Sequence, residues 1–358
     1  MIAVVVGTRP EIIKMAPVIL KLEEEGLDYT FIHTGQHYDY EMSKIFIEEL
    51  GLPEPHYSFQ LKGETPGEQI GEMIIQLDKV AQRRKPKVVA VQGDTNSMVA
   101  AAIAALKVGA DVAHVEAGLR SYDWRMPEEH NRRMIDHVSK YLFAPTEEAK
   151  KNLEEEHVYG EIFVTGNTII DALDRYLPLA EKKASEIEVP FDEFAIVTFH
   201  RAENVDNPFT LRDFVTILER SPIPLVYPIH PRTERRLKEF GLWERVKNIK
   251  HLHLMKPLGY LEFLGLLKRA KIVLSDSGGL QEEVTHPKIR KHILVLRTST
   301  ERPEAVKAGF AHVVGTNPVV VLATLERVLE ENPPLPEKSP FGDGKAAERI
   351  VKVLKEAS

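Results

Sequence analysis

The segment Ile2-Ala3-Val4-Val5-Val6-Gly7-Thr8-Arg9-Pro10-Glu11 joins an apolar run to a polar turn, and a helix-like stretch follows as far as Glu25. A short run rich in β-branched residues that ends in glycine is typical of a buried strand. Pro10 suits the first turn of a helix, where its missing N–H group is not needed. The same order recurs with apolar runs at 29–33, 88–91 and 112–115 and helix-like stretches at 38–50, 97–108 and 129–141. Strands that alternate with helices predict an α/β fold with a parallel sheet.

The pattern restarts near residue 190, after a helix-like stretch at 169–187 that ends in Val189-Pro190. The second set of apolar runs lies at 195–199, 225–229, 251–254, 272–274 and 293–296. A chain of 358 residues is long enough for two domains. We therefore predict two Rossmann-like domains whose parallel sheets face a central cleft, the first spanning residues 1–188 and the second residues 189–344.

Composition excludes several classes of function. The formal net charge of −7 leaves no basic surface of the kind that binds nucleic acid. The chain has no cysteine, which rules out disulfides, thiolate metal sites and cysteine nucleophiles. We expect no metal site, because His33, His37 and His56 are dispersed and have no ligand motif around them. The first apolar run is too short for a signal peptide or a membrane span, so we expect a cytoplasmic protein without a membrane partner.

Polar motifs follow the carboxyl ends of the apolar runs. They are Gly7-Thr8-Arg9-Pro10, Gly93-Asp94-Thr95, Glu116-Ala117-Gly118-Leu119-Arg120, His200-Arg201-Ala202-Glu203-Asn204, His230-Pro231-Arg232 and Ser275-Asp276-Ser277-Gly278-Gly279. Ligands of open parallel sheets bind outside the carboxyl ends of the strands. Each motif alone could be an ordinary turn, but six together predict one ligand-binding crevice.

The segment Ser277-Gly278-Gly279 precedes a predicted helix start, where it is either a phosphate-binding turn or simply a serine N-cap with glycine for the turn. Glycine lets the backbone approach a ligand, and the N–H groups of a helix N-terminus attract phosphate. The turn Gly7-Thr8 is expected to act in the same way, with Arg9 and Lys14 adding positive charge. Glu283 is a candidate to accept hydrogen bonds from ribose hydroxyls, and a solvated helix glutamate is the equal alternative. Neither a GxGxxG motif nor a Walker loop is present, which argues against dehydrogenases and P-loop ATPases.

The carboxylates Asp94, Glu116 and Glu128 are the candidate proton carriers. Asp94 and Glu116 end apolar strands, where an unpaired charge is costly, so each is either an ion-paired structural group or an acid–base group with a shifted pKa. The arginines near them keep the ion-pair alternative open: Arg120, Arg125, Arg132 and Arg133. His200 and His230 end strands of the second half, where histidine can donate to phosphate or carry a proton.

Over essentially its whole length the chain resembles the non-hydrolysing UDP-N-acetylglucosamine 2-epimerases. The matching segments are Gly7 to Glu11 with Lys14, Gln92 to Thr95, His114 to Arg120, Met126 to Glu129 with Asn131-Arg132, Thr165 to Thr168, His200-Arg201 with Glu203-Asn204, Ser275 to Gly279 with Gln281 to Glu283, and Thr300 to Glu304. The resemblance implies a fold like that of GT-B glycosyltransferases, with the last helix, 345–358, packing back on the first domain. It also suggests a homodimer that uses a UDP-sugar substrate and no cofactor.

The resemblance further implies inversion of C2, which converts UDP-N-acetylglucosamine to UDP-N-acetylmannosamine through anti elimination of UDP and its re-addition. It assigns acid–base roles to Asp94, Glu116 and Glu128 without fixing which one takes the proton. The resemblance also implies that Arg9 and Lys14 contact the substrate and that His200 contacts the departing diphosphate. It implies that Ser277, Gly278 and Gly279 bind phosphate and that Glu283 binds the ribose. Phe263 would contact the uracil region, and Arg302 would lie on the nucleotide side of the cleft.

Three other functions remain open at this stage. They are a GT-B glycosyltransferase, a UDP-sugar sensor without turnover, and a 2-epimerase for a modified sugar such as a diacetamido uronic acid. Compared with its relatives the chain is longer through Thr285–Arg290, which we expect to lengthen a surface loop. Gln36-His37 matches the start of a segment tied to allosteric binding of UDP-N-acetylglucosamine in bacterial members, but Tyr38-Asp39-Tyr40 differs from theirs, which leaves regulation open.

Overall fold

In a computed structural model, which describes residues 1–36 and 40–358, the apolar run Ile2–Val6 forms strand β1 and every residue of it is buried. The strands that join it in one sheet are β2 (Tyr29–His33), β3 (Tyr57–Ser58), β4 (Val88–Gln92), β5 (Asp111–Val115), β6 (Tyr141–Ala144) and β7 (Glu161–Val164). Their order is β3-β2-β1-β4-β5-β6-β7, and all neighbours are parallel. The helices are α1 (Arg9–Glu24), α2 (Tyr40–Glu49), α3 (Pro66–Arg84), α4 (Asn96–Lys107), α5 (Pro127–Val138), α6 (Glu147–Glu155) and α7 (Thr168–Ala184).

A second sheet repeats this arrangement. Its strands are β8 (Ala195–Thr198), β9 (Leu225–Pro228), β10 (Leu252–Met255), β11 (Ile272–Ser275), β12 (Ile293–Val295) and β13 (Ala311–Val313), in the order β10-β9-β8-β11-β12-β13. The helices that follow are α8 (Ala202–Val205), α9 (Pro208–Arg220), α10 (Pro231–Glu239), α11 (Trp243–Lys247), α12 (Tyr260–Arg269), α13 (Gly278–Glu283), α14 (Pro303–Lys307), α15 (Pro318–Glu331) and α16 (Ala346–Ala357). Both orders are those of the doubly wound Rossmann fold, so the predicted α/β fold of two Rossmann-like halves is confirmed.

The chain separates into two compact units. The first unit comprises Met1–Asp174 and Phe341–Ser358, and the second comprises Arg175–Pro340. The boundary falls within helix α7, earlier in the chain than the linker at Val189-Pro190 that the sequence indicates. Helix α16 lies in the first unit, where it packs against α1.

Two local expectations are wrong. The helix expected at 129–141 ends at Val138, and Tyr141 already begins β6. The segment Thr285–Arg290 is not a simple surface loop, because Thr285 is 0% and His286 1% exposed. The Thr285 hydroxyl lies 2.6 Å from that of Ser339. The segment therefore packs against the stretch that follows α15 at the end of the second unit.

The described residues contain no helix of the length and apolarity needed to cross a membrane. Residues 37–39 lie outside the described part of the chain, and so does most of the segment compared above with the allosteric region of bacterial relatives.

Helix α16 should contribute directly to the stability of the first unit. Leu354 is fully buried, whereas Lys352 on the same helix is exposed. We expect Leu354→Ala to lower the free energy of unfolding by about 2–5 kcal/mol, because it leaves a cavity. Lys352→Ala is the control and should change it by less than about 0.5 kcal/mol. Urea unfolding followed by far-UV circular dichroism measures both. Equal effects of the two variants would mean that the helix does not pack as described.

Candidate active site

The first unit gathers its polar turns at the topological switch point of its sheet. Strands β1 and β4 are neighbours, and the turns that follow them carry Gly7-Thr8 and Gly93-Asp94. Glu116 follows β5, the next strand along. Ligands of doubly wound folds bind at this position. The structure therefore brings Asp94 and Glu116 to one edge of the sheet, as the sequence predicts.

Glu11 holds the first of these turns. Its carboxylate accepts hydrogen bonds from the backbone N–H groups of Gly7 at 2.6 Å and Thr8 at 2.9 Å, and from the Thr95 hydroxyl at 2.5 Å. The Glu11 side chain therefore ties the turn after β1 to the turn after β4. The expectation that Gly7 and Thr8 offer their N–H groups to phosphate is wrong, because Glu11 already uses them.

Glu116 has a backbone conformation that non-glycine residues rarely adopt. Its φ is 70°, in the left-handed region. The carboxylate is nearly buried, forms a salt bridge with Lys14 and accepts a 2.8 Å hydrogen bond from the Asn167 side-chain amide. Strained residues that a structure nevertheless retains cluster at active sites. Lys14, predicted as a substrate contact, is here a buried partner of Glu116.

Asp94 is paired but still accessible. Its carboxylate accepts a 2.8 Å hydrogen bond from Nε of Arg132, and its backbone carbonyl accepts one of 2.8 Å from the Asn131 side chain. The side chain of Asp94 remains 28% exposed, so a ligand can reach it.

Glu128 and its neighbour Glu129 have opposite surroundings at the start of α5. Glu129 is fully buried and accepts hydrogen bonds from Ser121 N–H at 2.9 Å and from Arg132 at 2.9 Å. Glu128 is partly buried and, among the described residues, has no hydrogen-bond or ion-pair partner. Glu129 is therefore a structural group, and Glu128 is the carboxylate of this pair that can serve a ligand.

Arg9 is exposed, with its guanidinium 5.7 Å from the centre of the Phe46 ring.

In the second unit Asp276 holds the turn that carries His200. The buried Asp276 carboxylate accepts hydrogen bonds from His200 N–H at 3.0 Å, Arg201 N–H at 2.9 Å and the Asn204 side chain at 3.1 Å. Its other oxygen lies 3.4 Å from Nδ1 of His200. This contact favours a proton on Nδ1 of His200 and leaves Nε2 for a ligand.

His230 stands beside His200, with 5.6 Å between their ring centres. Its Nδ1 accepts a 3.1 Å hydrogen bond from the N–H group of Arg232, so this nitrogen carries no proton. Burial and the neighbouring His200 lower the pKa of His230, which keeps the ring neutral. Two histidines thus share the carboxyl edge of the second sheet in different hydrogen-bonding states.

The segment Ser277-Gly278-Gly279 begins α13 after the buried strand β11. A Cβ atom on Gly278 would lie 2.6 Å from a carboxylate oxygen of Glu301, which explains why glycine is needed there. Arg302 is buried, with Nε 2.8 Å from Glu282 and a second ion pair to Glu301. Since two carboxylates engage it, Arg302 shapes the loop around Gly278 in addition to any contact with a nucleotide.

The remaining predicted residues lie close by in the second unit. Glu283 is 8% exposed, and it acts with burial to raise the pKa of Tyr260 well above its ordinary value. Phe263 is a partly buried residue of α12, the helix that Tyr260 begins. Ser277 and Gly279 are also partly buried.

Glu11 and Asn167 in the first unit and Asp276 in the second contact candidate residues or their turns within their own unit, but the sequence alone assigns them no role. One signal was available for Glu11, because Thr8-x-x-Glu11 has the spacing of a capping box, and the structure forms it. Asn167 and Asp276 stand in the matched motifs, but their partners are distant in sequence, so spacing could not reveal them.

The first unit carries carboxylates at the carboxyl ends of its strands, and the second carries histidines and a glycine-rich helix start at the carboxyl ends of its own. Two doubly wound units in one chain define the GT-B-like class of α/β proteins. The model of the UDP-N-acetylglucosamine 2-epimerase family matches residues 20–355, and the chain belongs to that family. This confirms the resemblance found from the motifs.

Individual relatives agree. The UDP-N-acetylglucosamine 2-epimerase of Methanocaldococcus jannaschii is 47% identical over 99% of this chain and 98% of its own. Its crystal structure in complex with UDP-GlcNAc and UDP has a TM-score of 0.89 and 46% identity, with 99% of each chain covered. The UDP-2,3-diacetamido-2,3-dideoxy-D-glucuronate 2-epimerase of Pseudomonas aeruginosa is 38% identical over 99% of each chain.

Glu11 makes stability depend on pH in a defined direction. Burial raises its pKa from 4.5 to about 7, although hydrogen bonds from Thr95, Gly7 and Thr8 oppose this shift. Between these values the folded protein keeps a proton that the unfolded chain loses, so the Glu11 contribution becomes less favourable as pH rises. Relative to Glu11→Gln, the wild-type protein should lose on the order of 3 kcal/mol of stability across this range.

Urea unfolding at a series of pH values measures this difference. Glu68→Gln is the matched control, because Glu68 occupies the same capping-box position on α3 but is exposed. Hydrogen bonds from Thr65 and Glu64 lower the pKa of Glu68 below 4.5, so its contribution should be lost on acidification below that value. A difference for Glu11→Gln that is flat or increases between pH 4.5 and 7 would contradict the assignment.

Proposed function

We propose that the protein interconverts UDP-N-acetylglucosamine and UDP-N-acetylmannosamine by inverting the configuration at C2. The proposal rests on one observation in a chain of this family: the two units carry different sets of functional side chains. The first unit supplies carboxylates suited to proton transfer, and the second supplies donors suited to a diphosphate. Epimerisation through loss of UDP needs both sets, since one moves the proton and the other binds the departing diphosphate.

The first unit would perform the proton chemistry. A carboxylate removes the proton from C2, and a different one returns a proton to C2 from the other face. Asp94 lies beside Arg132, Glu116 lies beside Lys14, and Glu128 has no partner in the part of the chain that the structure describes, so the three have different surroundings. Titratable groups in different surroundings can take different acid and base roles. These three remain the proposed acid–base groups, with Lys14 acting through Glu116.

The second unit would bind UDP and stabilise its departure. As the C2–H bond breaks, the C1–O bond to UDP breaks too, a C1–C2 double bond forms, and the electron pair leaves with the diphosphate. In this proposal His200 and the helix start at Ser277-Gly278-Gly279 balance the charge that develops on the diphosphate. Re-addition of UDP to C1 and protonation of C2 complete the reaction. Glu283 and Phe263 are proposed to contact the nucleoside, Arg302 the nucleotide side, and Arg9 the substrate.

A modified sugar is the second candidate substrate. It is favoured by the Pseudomonas aeruginosa relative, which is named as a diacetamido-glucuronate 2-epimerase and covers the chain nearly completely. Parallel assays with UDP-N-acetylglucosamine and the diacetamido uronate distinguish the two substrates by their kcat/KM values.

Three further properties go beyond the reaction, and the dimer among them rests on the family resemblance. We propose that the protein acts as a homodimer in the cytoplasm and supplies a sugar nucleotide for polysaccharide biosynthesis. Light scattering coupled to size-exclusion chromatography tests the dimer, and a monomer would contradict it.

The reaction predicts exchange of one hydrogen with solvent. Incubation of the protein with UDP-N-acetylglucosamine in deuterated water, without added cofactor, should give UDP-N-acetylmannosamine with deuterium at C2. Proton NMR of the sugar follows both the new epimer and the loss of the C2 signal. Free N-acetylmannosamine plus UDP as the main early product would indicate a hydrolase instead. An unchanged sugar despite tight binding would favour the sensor, and sugar transfer to an added acceptor the glycosyltransferase.

Asp94→Asn tests the proton chemistry separately from binding. The amide keeps the size of the side chain but cannot accept the C2 proton, so we expect C2 exchange to fall by at least about 100-fold. UDP affinity, measured by calorimetry, and the circular dichroism spectrum should stay unchanged. Asp28→Asn is the control, since Asp28 is an exposed residue of the same unit. Unchanged exchange in Asp94→Asn would remove Asp94 from the mechanism.

A further inference from the structure

His114 is a buried titratable group of the first unit that the proposed chemistry does not use. It lies in β5 with a side chain that is 0% exposed, as is that of Asp136 on α5. Nδ1 of His114 is 2.7 Å from a carboxylate oxygen of Asp136, and Nε2 is 2.8 Å from the backbone carbonyl of Gly93. Both ring nitrogens therefore face oxygen atoms at hydrogen-bond distance.

The partners fix how this ring is oriented. A carbonyl oxygen only accepts, so Nε2 must donate to Gly93. Burial acts to raise the pKa of Asp136, but His114 and Arg120 outweigh it and lower this pKa below the ordinary value. His114 is thus held between the Asp136 side chain at Nδ1 and the Gly93 carbonyl at Nε2.

Asp136 connects this histidine to a second turn. Its other carboxylate oxygen accepts a hydrogen bond of 3.2 Å from the N–H group of Gly118 and forms an ion pair of 2.8 Å with Arg120. The charges facing Asp136 are thus His114 and Arg120, and Arg120 is also paired with Glu156 at 2.7 Å. Buried charges that are paired and hydrogen-bonded in this way hold their neighbours in one geometry.

The two ends of this connection lie beside candidate catalytic carboxylates. Gly93 immediately precedes Asp94, and Gly118 follows Glu116 by two residues. Gly93 and Gly118 have φ values of 79° and 84°, so each turn depends on a left-handed residue. At Gly118 a Cβ atom would lie 2.3 Å from the carbonyl oxygen of Ala149, so the turn also packs closely on α6.

We propose that His114 and Asp136 are positioning residues for the C2 reaction, which hold the turn of Asp94 and the turn of Glu116 in a fixed relation. This inference rests on the proposed function, because it assigns a purpose to the pair only if both carboxylates act on one sugar. His114 and Asp136 touch neither substrate nor UDP in this role. Their effect is on the rate of the chemical step, where a misplacement of 1 Å can cost about 100-fold.

Two substitutions at His114 separate its two hydrogen bonds. The amide nitrogen of asparagine replaces Nδ1 and keeps the contact with Asp136, whereas that of glutamine replaces Nε2 and keeps the contact with Gly93. We expect His114→Asn to lower kcat about 100-fold, because the Asp94 turn loses its anchor. The kcat of His114→Gln should fall clearly less than that of His114→Asn. KM and UDP affinity should change by less than about threefold in both variants.

His137→Asn and His137→Gln are the matched controls, since His137 is exposed and lies next to Asp136 on the same helix. Both should keep wild-type kcat. Wild-type kcat in the two His114 variants would overturn the inference. The inference would also be overturned if both His114 variants lost kcat equally and in proportion to their loss of thermal stability, since that result would reflect packing alone. If the wild-type protein itself shows no C2 exchange, the proposed function fails first and the inference with it.

NMR of nitrogen-15-labelled histidine tests the geometry without any assay of activity. Nε2 of His114 should carry a proton, because it faces the carbonyl oxygen of Gly93, and the signal should be identified by its loss in His114→Gln or, if that variant does not fold, in His114→Asn. An unprotonated Nε2 would overturn the inference whatever the activity of the variants.

Discussion

Buried carboxylates that accept backbone N–H groups hold several of the turns that carry candidate residues in each unit. Glu11 binds Gly7 and Thr8, Asp136 binds Gly118, Glu129 binds Ser121, and Asp276 binds His200 and Arg201. Burying a charge is unfavourable unless hydrogen bonds replace its water. Backbone N–H groups at the ends of strands and at helix starts need such partners too, so each contact satisfies both groups. Each unit depends on this exchange at the turns that carry its own candidate residues.

This interaction divides the acidic residues of the site into two kinds. Carboxylates such as Glu11 and Asp276 point into the protein and have their oxygens occupied by the chain itself. Asp94 and Glu128 are partly buried and keep accessible oxygen atoms. A proton carrier must reach its substrate, so only the second kind suits the chemistry. Glu116 stands between the two, since it is nearly buried yet lies at the carboxyl end of β5.

Much of the fold could be predicted from the sequence because the strands are buried on both faces and read as continuous apolar runs. Strand β6 was missed because Tyr141 follows α5 after only a short connection, and the apolar pattern of the helix runs into it. The residues expected at the strand ends are found there. Their partners could not be predicted, since the contact of Lys14 with Glu116 or of Arg302 with Glu282 joins positions that no local spacing relates.

The conformation of Glu116 shows how the site tolerates a locally unfavourable residue. A non-glycine residue at φ 70° costs on the order of 1–3 kcal/mol. The N–H groups of Glu116 and Ala117 both donate to the carbonyl of Phe143 at 3.1 Å, which fixes the turn to the neighbouring strand. Glycine would remove the strain but also the carboxylate, and with it the partner of Lys14 and Asn167. The strain is therefore retained because the side chain is needed at that place, and the contacts around the turn offset it.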